Sequence, residues 1–257
     1  MKLANKKILV TRPEAQASCL CELIRKNGGD AIRFPVIEIK AKFTVSLKDK
    51  FKKINNYDLV IFISQNAVTI AFEYFLADID ISLIKIQIAA IGETTARTLH
   101  KFGIEKILYA GEQADSEALL ALPEFATKNI NGKRVLIVRG TGGREILSDT
   151  LQSRGAKTEY IEIYQRCLPE YGMNDKRKVW QDHGPDAIII TSNNSLKNLL
   201  ALTMEEDMEK LFKTPLVLMS ERISEYAKRA GFSATMKVAD KKSDEGLLAA
   251  LIDVFGD

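Results

Sequence analysis

The chain has 257 residues, of which 46% are hydrophobic and 28% are charged, and its formal net charge is +3. A chain of this length forms two domain cores more readily than one, and the composition is that of an ordinary globular protein. The mild charge argues against a nucleic-acid-binding protein, which would need a strongly basic stripe. No apolar run approaches the roughly 18 residues that would indicate a membrane span.

The first residues pass from two lysines directly into a strand, without the apolar stretch of a signal peptide, so we expect a cytoplasmic protein. Its three cysteines are Cys19, Cys21 and Cys167. Their odd number and the lack of histidine partners predict free thiols rather than a disulfide or a zinc site. The only histidines, His100 and His183, are too few for a metal cluster.

Apolar strands alternate with amphipathic helices along the chain. Continuous β-branched runs predict strands buried on both faces, as in a parallel sheet, at residues 8–10, 59–63, 135–138 and 188–190. Helix N-caps are expected near Asn66, Thr94 and Asn194. Glycines expected near helix C-caps are Gly28, Gly103, Gly155 and Gly231. The pattern predicts an α/β protein with doubly wound parallel sheets.

Two segments, FPVIEIK (34–40) and EYIEIYQRCLP (159–169), alternate apolar with polar residues instead. Alternation of this kind is typical of exposed two-stranded ribbons, and it places Tyr160 and Tyr164 on one face. If the ribbons connect two lobes, one lobe comprises residues 1–36 and 170–257 and the other 40–165. Two plain tandem lobes are the alternative.

The chain is an internal duplication. The strand–arginine–helix–strand segment that starts at residue 8 recurs from residue 135, and both copies end in Ile-Glu-Ile. Three later pairs recur 128 residues apart, namely Ser64 with Ser192, Glu93 with Glu221, and Glu117 with Glu245. Matches in one order and at one spacing indicate two structurally similar halves.

The turn in VLIVRGTGGREIL (135–147) joins a buried strand to a helix through glycines, as in loops that hold phosphate on helix N-terminal amides. Glu145 stands where a dinucleotide-binding loop has its third glycine, and the chain has no Gly-Lys-Ser/Thr triplet. These departures weaken a nucleotide interpretation. A tight turn with positive φ and close packing, or an anion site without nucleotide specificity, are the alternatives.

A series of segments resembles the uroporphyrinogen-III synthase family over essentially the whole chain. In order they are ILVTRPEAQ, FISQNAV, AAIGETTARTL, SEALL, GKRVLIVRGTGGRE, GAKTEYIEIYQR, IIITSNNSL and LVLMSERISEYAKRAGF. The resemblance implies two similar α/β lobes joined by a two-stranded β linker, with the active site in the cleft between them. It also implies a lyase of heme biosynthesis that cyclises hydroxymethylbilane to uroporphyrinogen III, with loss of water and inversion of ring D, and that uses no metal or organic cofactor.

Ligands of doubly wound folds bind at the carboxyl ends of the strands, where amides, hydroxyls and arginines suit a substrate rich in carboxylates. The residues expected to bind substrate are Arg12, Ser64, Asn66, Gly92, Thr95, Arg139, Gly140, Gly142, Gly143, Arg144, Ser192, Asn194 and Ser220. For the arginines the alternative is an ion pair with a nearby acid such as Glu14 or Glu145. For Ser64 and Ser192 it is a helix N-cap.

The resemblance marks Tyr164 as the catalytic candidate, a phenol that donates a proton or hydrogen bond to the departing hydroxyl. The alternative is a linker tyrosine packed between lobes. The chain departs from the family at SERIS, which answers GETTA in the second repeat. Thr95 therefore has no counterpart there, and only Ser220 and the local amides are expected to contribute.

The expected partners are the substrate and, transiently, the preceding pathway enzyme, with no nucleic acid and no membrane, and we expect a monomer. Two other functions remain open on fold alone. One is a non-catalytic two-lobed binding protein for a polyanionic small molecule. The other is a nucleotide- or flavin-dependent enzyme.

Overall fold

The computed structural model describes residues 2–77, 86–111 and 115–256. The strands in this part of the chain are β1 (Lys7–Val10), β2 (Asp30–Arg33), β3 (Glu38–Ala41), β4 (Leu59–Phe62), β5 (Gln87–Ala90), β6 (Ile107–Leu108), β7 (Arg134–Gly140), β8 (Lys157–Cys167), β9 (Ala187–Ile190), β10 (Leu216–Leu218) and β11 (Met236–Val238). All four predicted strands are present, as β1, β4, β7 and β9.

The α-helices in the described ranges are α1 (Glu14–Lys26), α2 (Val45–Lys52), α3 (Gln65–Ile70), α4 (Glu93–Lys101), α5 (Ser116–Leu120), α6 (Thr127–Ile130), α7 (Ile146–Ser153), α8 (Met173–Trp180), α9 (Asn193–Leu202), α10 (Met208–Lys213), α11 (Glu221–Arg229) and α12 (Asp244–Phe255). A π-helical turn, Ala71–Phe75, follows α3. None of the described helices is long and apolar enough to cross a membrane.

The chain divides into two compact units, one of Met1–Glu38 with Cys167–Asp257 and the other of Ile39–Arg166. The first unit has a sheet of order β11-β10-β9-β1-β2, and every pairing in it is parallel. The second has a sheet of order β3-β8-β7-β4-β5-β6, parallel from β8 to β6. The prediction of an α/β fold with two parallel sheets is confirmed. The predicted lobe bounds and the linker role of residues 34–40 and 159–169 stay predictions.

The two sheets share one strand order. The series β2-β1-β9-β10-β11 in the first unit corresponds to β8-β7-β4-β5-β6 in the second, as the sequence repeat requires. In each series the chain order reverses beside the central strand, between β1 and β9 or between β4 and β7. Such switch points leave a crevice at the carboxyl ends of the strands, which is where ligands of these folds bind.

Glycines lie at the C-terminal ends of several helices, and a serine or glycine caps the N-terminal ends. The predicted C-cap glycines all have positive φ: Gly28 (88°), Gly103 (85°), Gly155 (88°) and Gly231 (100°). The N-caps lie two residues before the predicted ones, at Ser64, Gly92 and Ser192. Each serine hydroxyl accepts the N–H three residues further on, which closes the first turn earlier than the asparagines would.

The prediction that residues 34–40 and 159–169 are exposed ribbons is wrong for much of each segment, although Lys40, Gln165 and Arg166 are exposed. Strand β8 lies inside its sheet, between β3 and β7, so Ile161, Ile163 and Tyr164 are buried. In the first segment Val36 and Ile37 are buried as well. Both stretches thus contribute to hydrophobic cores, although their alternation of apolar with polar residues resembles that of a strand with one solvent-exposed face.

The cysteines are free, with Cys19 exposed and Cys21 buried, as expected for helical positions two residues apart. Apolar side chains cover both faces of the second unit's sheet. One face packs α3 against Val60, Phe62 and Val138, and the other packs α7 against Ile61 and Ile137. This burial on both faces fixes the strands and so positions the turns at their carboxyl ends.

Candidate functional site

A tyrosine and a serine meet at the switch point of the second unit. Ser64 follows β4, and its hydroxyl lies 2.9 Å from the Tyr164 hydroxyl. The same Ser64 Oγ accepts the backbone N–H of Ala67 at 3.2 Å, so it caps α3 as well. Tyr164 is only 2% exposed to bulk solvent. The hydroxyl pair is therefore held from two sides, by a helix cap and by a buried ring.

A β-bulge brings Tyr164 to this position. Strand β8 pairs with β7 in register up to Arg139 opposite Glu162, and Gly140 then lies opposite Tyr164, which leaves Ile163 as the extra residue. The bulge interrupts the alternation of faces. Tyr160 packs with the cluster around Ile137, whereas Tyr164 belongs to the opposite cluster. The prediction that both tyrosines share one face is therefore wrong.

Gly140 provides the space for the Tyr164 ring. A Cβ at Gly140 would lie 2.5 Å from two carbons of that ring, a distance that real Cβ atoms essentially never show. The Tyr164 carbonyl also accepts the Thr141 N–H at 2.7 Å. The turn after β7 and the tyrosine of β8 thus form one packed unit.

The remaining glycines of the turn have a different role. Gly142 and Gly143 have φ values of 75° and 123°, which side-chain-bearing residues rarely adopt. A Cβ at Gly142 would meet no atom within 4 Å. Both features of the tight-turn alternative are therefore present, close packing at Gly140 and positive φ at Gly142 and Gly143, and the anion site stays a prediction.

Arg139 lies beneath this turn and is 8% exposed. Its guanidinium stacks on the Tyr160 ring, 3.7 Å from the centroid. Its Nη2 donates to Glu145 at 2.8 Å and approaches Glu162 at 3.4 Å. The hydrogen bond from Arg139 lowers the pKa of Glu145 below its ordinary value. The predicted alternative partner Glu145 is thus present, and the pair stands inside the candidate site.

These residues surround a cavity of about 180 Å³ within the second unit. Its walls are Ile63, Ser116, Ile137, the turn from Arg139 to Arg144, Leu147, Tyr160, Tyr164 and Arg166. Backbone amides, two phenols and three arginines converge on it, a combination suited to an anionic ligand. In the described part of the chain no cluster of three or more His, Cys, Asp or Glu side chains could hold a metal ion.

The other predicted residues of the second unit differ in exposure. Arg144 has a 73% exposed side chain and pairs with Glu117 at 3.4 Å at the edge of the turn. Asn66 lies in the first turn of α3, next to Ser64. Gly92 is the N-cap of α4, and Thr95 in that helix is 4% exposed. Thr95 faces the protein interior, so its predicted contact with substrate stays a prediction.

The first unit places its predicted residues at the carboxyl ends of β1, β9 and β10. Arg12 pairs with Asp244, in the first turn of α12, and not with its neighbour Glu14, which pairs with Arg33. The reason is that α12 packs on α1 and brings Asp244 to the arginine. Ser192 caps α9 and bonds the Ser195 hydroxyl at 2.8 Å. Asn194 is exposed, and Ser220 caps α11 without a side-chain hydrogen bond.

Comparison with known proteins decides the family. A family model described as uroporphyrinogen-III synthase HemD matches residues 18–249. The chain belongs to the uroporphyrinogen-III synthase family. It is 37% identical over 246 residues to the uroporphyrinogen-III synthase of Salmonella typhimurium, with 95% of this chain and 99% of the relative aligned. It is equally similar to the Escherichia coli K12 protein of the same name, 37% over 247 residues. The family predicted from the sequence motifs is confirmed.

Solved structures show the same fold. The Helicobacter pylori uroporphyrinogen-III synthetase superposes with a TM-score of 0.65 at 17% identity, and 97% of this chain and 99% of that one are aligned. A mutant uroporphyrinogen III synthase from Thermus thermophilus gives 0.60 at 15% identity, over 97% and 98% of the two chains. At these identities the likeness concerns the fold alone.

Sequence reasoning did not find every side chain that builds this candidate site. Tyr160, which carries the Arg139 guanidinium, and Glu162, which accepts the Gly142 N–H at 3.1 Å, were not among the predicted site residues. The sequence contained a signal for both residues, because they lie on β8, the strand that pairs with β7 just before the glycine turn. Arg166, the third arginine at the cavity, lies 5.9 Å from the Tyr164 ring centroid and gave no signal.

Proposed function

We propose that this protein cyclises hydroxymethylbilane to uroporphyrinogen III, with loss of water and inversion of ring D. Membership of the uroporphyrinogen-III synthase family supports the proposal, as do relatives of that name aligned over nearly their whole length. The single structural observation that carries it is the hydrogen bond between Ser64 and Tyr164 beside the cavity.

Tyr164 is the proposed proton donor. Because Ser64 Oγ already accepts the Ala67 N–H, its own hydrogen can point towards Tyr164 Oη. The phenol O–H is then available for the departing hydroxyl of the bilane. As the carbon–oxygen bond breaks, the proton of Tyr164 leaves with the hydroxyl as water, and Ser64 donates a hydrogen bond to the phenolate. The proton that the pyrrole system loses after ring closure restores the phenol.

Substrate binding is assigned to the carboxyl ends of both sheets. The proposed contacts with the bilane are Arg12, Ser64, Asn66, Gly92, Thr95, Arg139, Gly140, Gly142, Gly143, Arg144, Ser192, Asn194 and Ser220. The arginines offer bidentate donors to the acetate and propionate groups, and the helix N-termini offer amides. One exposed contact of a carboxylate with a helix N-terminus is worth about 0.3–1 kcal/mol, so several are needed to hold a flexible chain.

Catalysis on this view is largely positioning. Once water has left, the bilane is itself a strong electrophile, and the enzyme must direct which carbon of ring D attacks. Holding reactive groups in one geometry supplies as much as about 7–11 kcal/mol in favourable cases. This explains why a site of hydroxyls, arginines and amides is sufficient for the proposed chemistry.

We also propose that the enzyme works as a monomer in the cytoplasm and receives its substrate through transient contact with the preceding pathway enzyme. The bilane closes spontaneously to the uninverted isomer I, so a short transfer limits that loss. Light scattering of the purified protein, alone and mixed with the preceding enzyme, tests the monomer and the contact. A stable dimer would contradict the first.

The test of the function is product identity. The purified protein receives hydroxymethylbilane generated in situ, the products are oxidised, and the porphyrin isomers are separated by chromatography. We expect isomer III, against isomer I in a control without the protein. Isomer I alone from folded protein would exclude the synthase activity and leave a non-catalytic binding protein as the hypothesis to test next.

A further inference from the structure

Two hydrogen-bond donors of the cavity lack an acceptor in the described protein. They are Arg139 Nε and Tyr160 Oη, both buried, and both residues line the cavity. Burial and the nearby Glu145 carboxylate raise the pKa of Tyr160 above its ordinary value. Buried donors are almost always paired in folded proteins, so two orphans at one cavity indicate acceptor oxygens from a ligand.

The guanidinium of Arg139 already holds a carboxylate at this place. Glu145 accepts from Nη2 at 2.8 Å although its own side chain is 53% exposed, against 10% for Arg139. Glu145 ends the glycine turn, in which a Cβ at Gly142 would meet no atom within 4 Å. Because the Glu145 side chain is already half in solvent, it can turn outward into water, whereas the buried Arg139 cannot.

Glu162 is the fixed partner of the same guanidinium. It accepts the Gly142 N–H at 3.1 Å, and its other oxygen lies 3.8 Å from Lys42 Nζ. A third carboxylate added to one guanidinium would be repelled by the two already present. An incoming carboxylate must therefore replace one of them. Glu145 is the one that leaves, because it is half-exposed and makes fewer polar contacts than Glu162.

We infer that Arg139 is a carboxylate subsite that Glu145 occupies in the free protein, and that a carboxylate of the ligand displaces Glu145 and accepts from Arg139 and from the Tyr160 hydroxyl. The ligand's identity as a bilane bearing acetate and propionate groups rests on the proposed function; the exchange itself does not. Tyr160 and Glu145 are accordingly positioning residues, which set affinity and not the chemical step.

The direct test is a titration with sodium propionate at constant ionic strength, following the arginine Nε–H resonances of 15N-labelled protein. The Arg139 signal is the one missing from Arg139→Lys. We expect it to move in the wild type, and to do so at a propionate concentration about two- to five-fold lower in Glu145→Gln, the range set by losing an exposed ion pair. Tyr160→Phe should require several-fold more propionate while its melting temperature shows that it is folded.

The matched control is Glu93→Gln. Glu93 lies in the first turn of α4, at the carboxyl edge of the same sheet, with a 44% exposed side chain and an arginine partner of its own. It removes the same charge without touching Arg139. Equal affinity in Glu145→Gln and Glu93→Gln, an unchanged Tyr160→Phe, or no movement of the Arg139 signal with propionate would each overturn the inference.

Steady-state kinetics separate this inference from the proposed function. With hydroxymethylbilane, Glu145→Gln should lower KM two- to five-fold at constant kcat, and Tyr160→Phe should raise KM. If the wild type forms no isomer III but the propionate results hold, the function fails and the subsite stands. If isomer III forms and Glu145→Gln matches Glu93→Gln in KM, the subsite fails and the function stands.

Discussion

The two units have the same switch point in their strand order, but the side chains at that point make different contacts. In the second unit Ser64 bonds Tyr164 at 2.9 Å, whereas in the first its counterpart Ser192 bonds Ser195 within its own helix. The backbone is the same at both caps, with φ and ψ of −162° and 159° at Ser64 and −158° and 158° at Ser192. The helix start is thus the shared, structural feature, and the tyrosine is an addition to one copy.

The difference is visible at the residue that follows the repeat's arginine. Where the second unit has Gly140 after Arg139, the first has Pro13 after Arg12. A proline in place of Gly140 would leave no room for a ring packed on the turn, because even a Cβ there would lie 2.5 Å from it. Glycine and tyrosine therefore belong together, and their joint presence distinguishes the copy that carries the proposed catalytic residue from the other copy.

The arginines of the two turns differ in the same sense. Arg12 pairs with Asp244, whose side chain is only 18% exposed at the start of α12, while Arg139 pairs with Glu145, which is 53% exposed. A partner fixed on a helix suits a structural pair, and a partner on a glycine turn suits exchange. The first unit thus shows the same arginine held by a partner that is fixed on a helix.

Replacing the phenol should give the largest effect. Tyr164→Phe removes the proposed proton donor and keeps the ring against Gly140, so we expect kcat to fall by about 100-fold or more, the usual contribution of general acid catalysis. Stability should change by only about 1 kcal/mol, the net worth of the lost hydrogen bond to Ser64. Isomer-resolved product assays and urea unfolding measure the two quantities. An unaltered kcat would remove Tyr164 from the mechanism.

Gly140→Ala tests the coupling of the glycine with the ring. The added methyl would overlap the Tyr164 ring and force it from its place, which should cost about 1–3 kcal/mol in unfolding free energy and most of the activity. The same change made together with Tyr164→Leu should cost markedly less, because the clash is gone. Equal costs in both backgrounds would show that some feature of the turn other than the tyrosine requires glycine.

Much of this arrangement followed from the sequence, and the rest could not. The strands, the glycine C-caps and the duplication are local or periodic patterns, and all of them are present in the structure. The bulge at Ile163 depends on how β8 pairs with β7, which no spacing within β8 reveals. The Arg12–Asp244 pair likewise joins residues far apart in the chain, so the search for a partner near Arg12 found the wrong acid.

Serine-to-alanine changes compare the two caps directly. Ser64→Ala and Ser192→Ala each lose one side-chain cap, so each should lower the free energy of unfolding by about 1 kcal/mol. Only Ser64→Ala should also lower kcat, by several-fold, because only Ser64 bonds the proposed acid. Unfolding and turnover are measured on the same preparations. Equal kcat values for the two variants would show that Ser64 is a cap and nothing more.

The smallest effect concerns acid. Because Arg139 lowers the pKa of Glu145, the pair adds stability above the ordinary glutamate pKa, near 4.5, and this contribution disappears as the pH falls through the lower folded-state pKa. Glu145→Gln should therefore melt slightly below the wild type at pH 6, and the difference should vanish under acid conditions. The effect is small because Glu145 is half-exposed and water screens the pair.

Asp244→Asn provides the contrast in the first unit, where the acid is better buried. It should lower the melting temperature at pH 6 by more than Glu145→Gln does, since it leaves Arg12 largely enclosed without its partner. If Glu145→Gln were the more damaging change, Glu145 would be a structural partner like Asp244, and the distinction between a fixed and an exchangeable arginine pair would be lost.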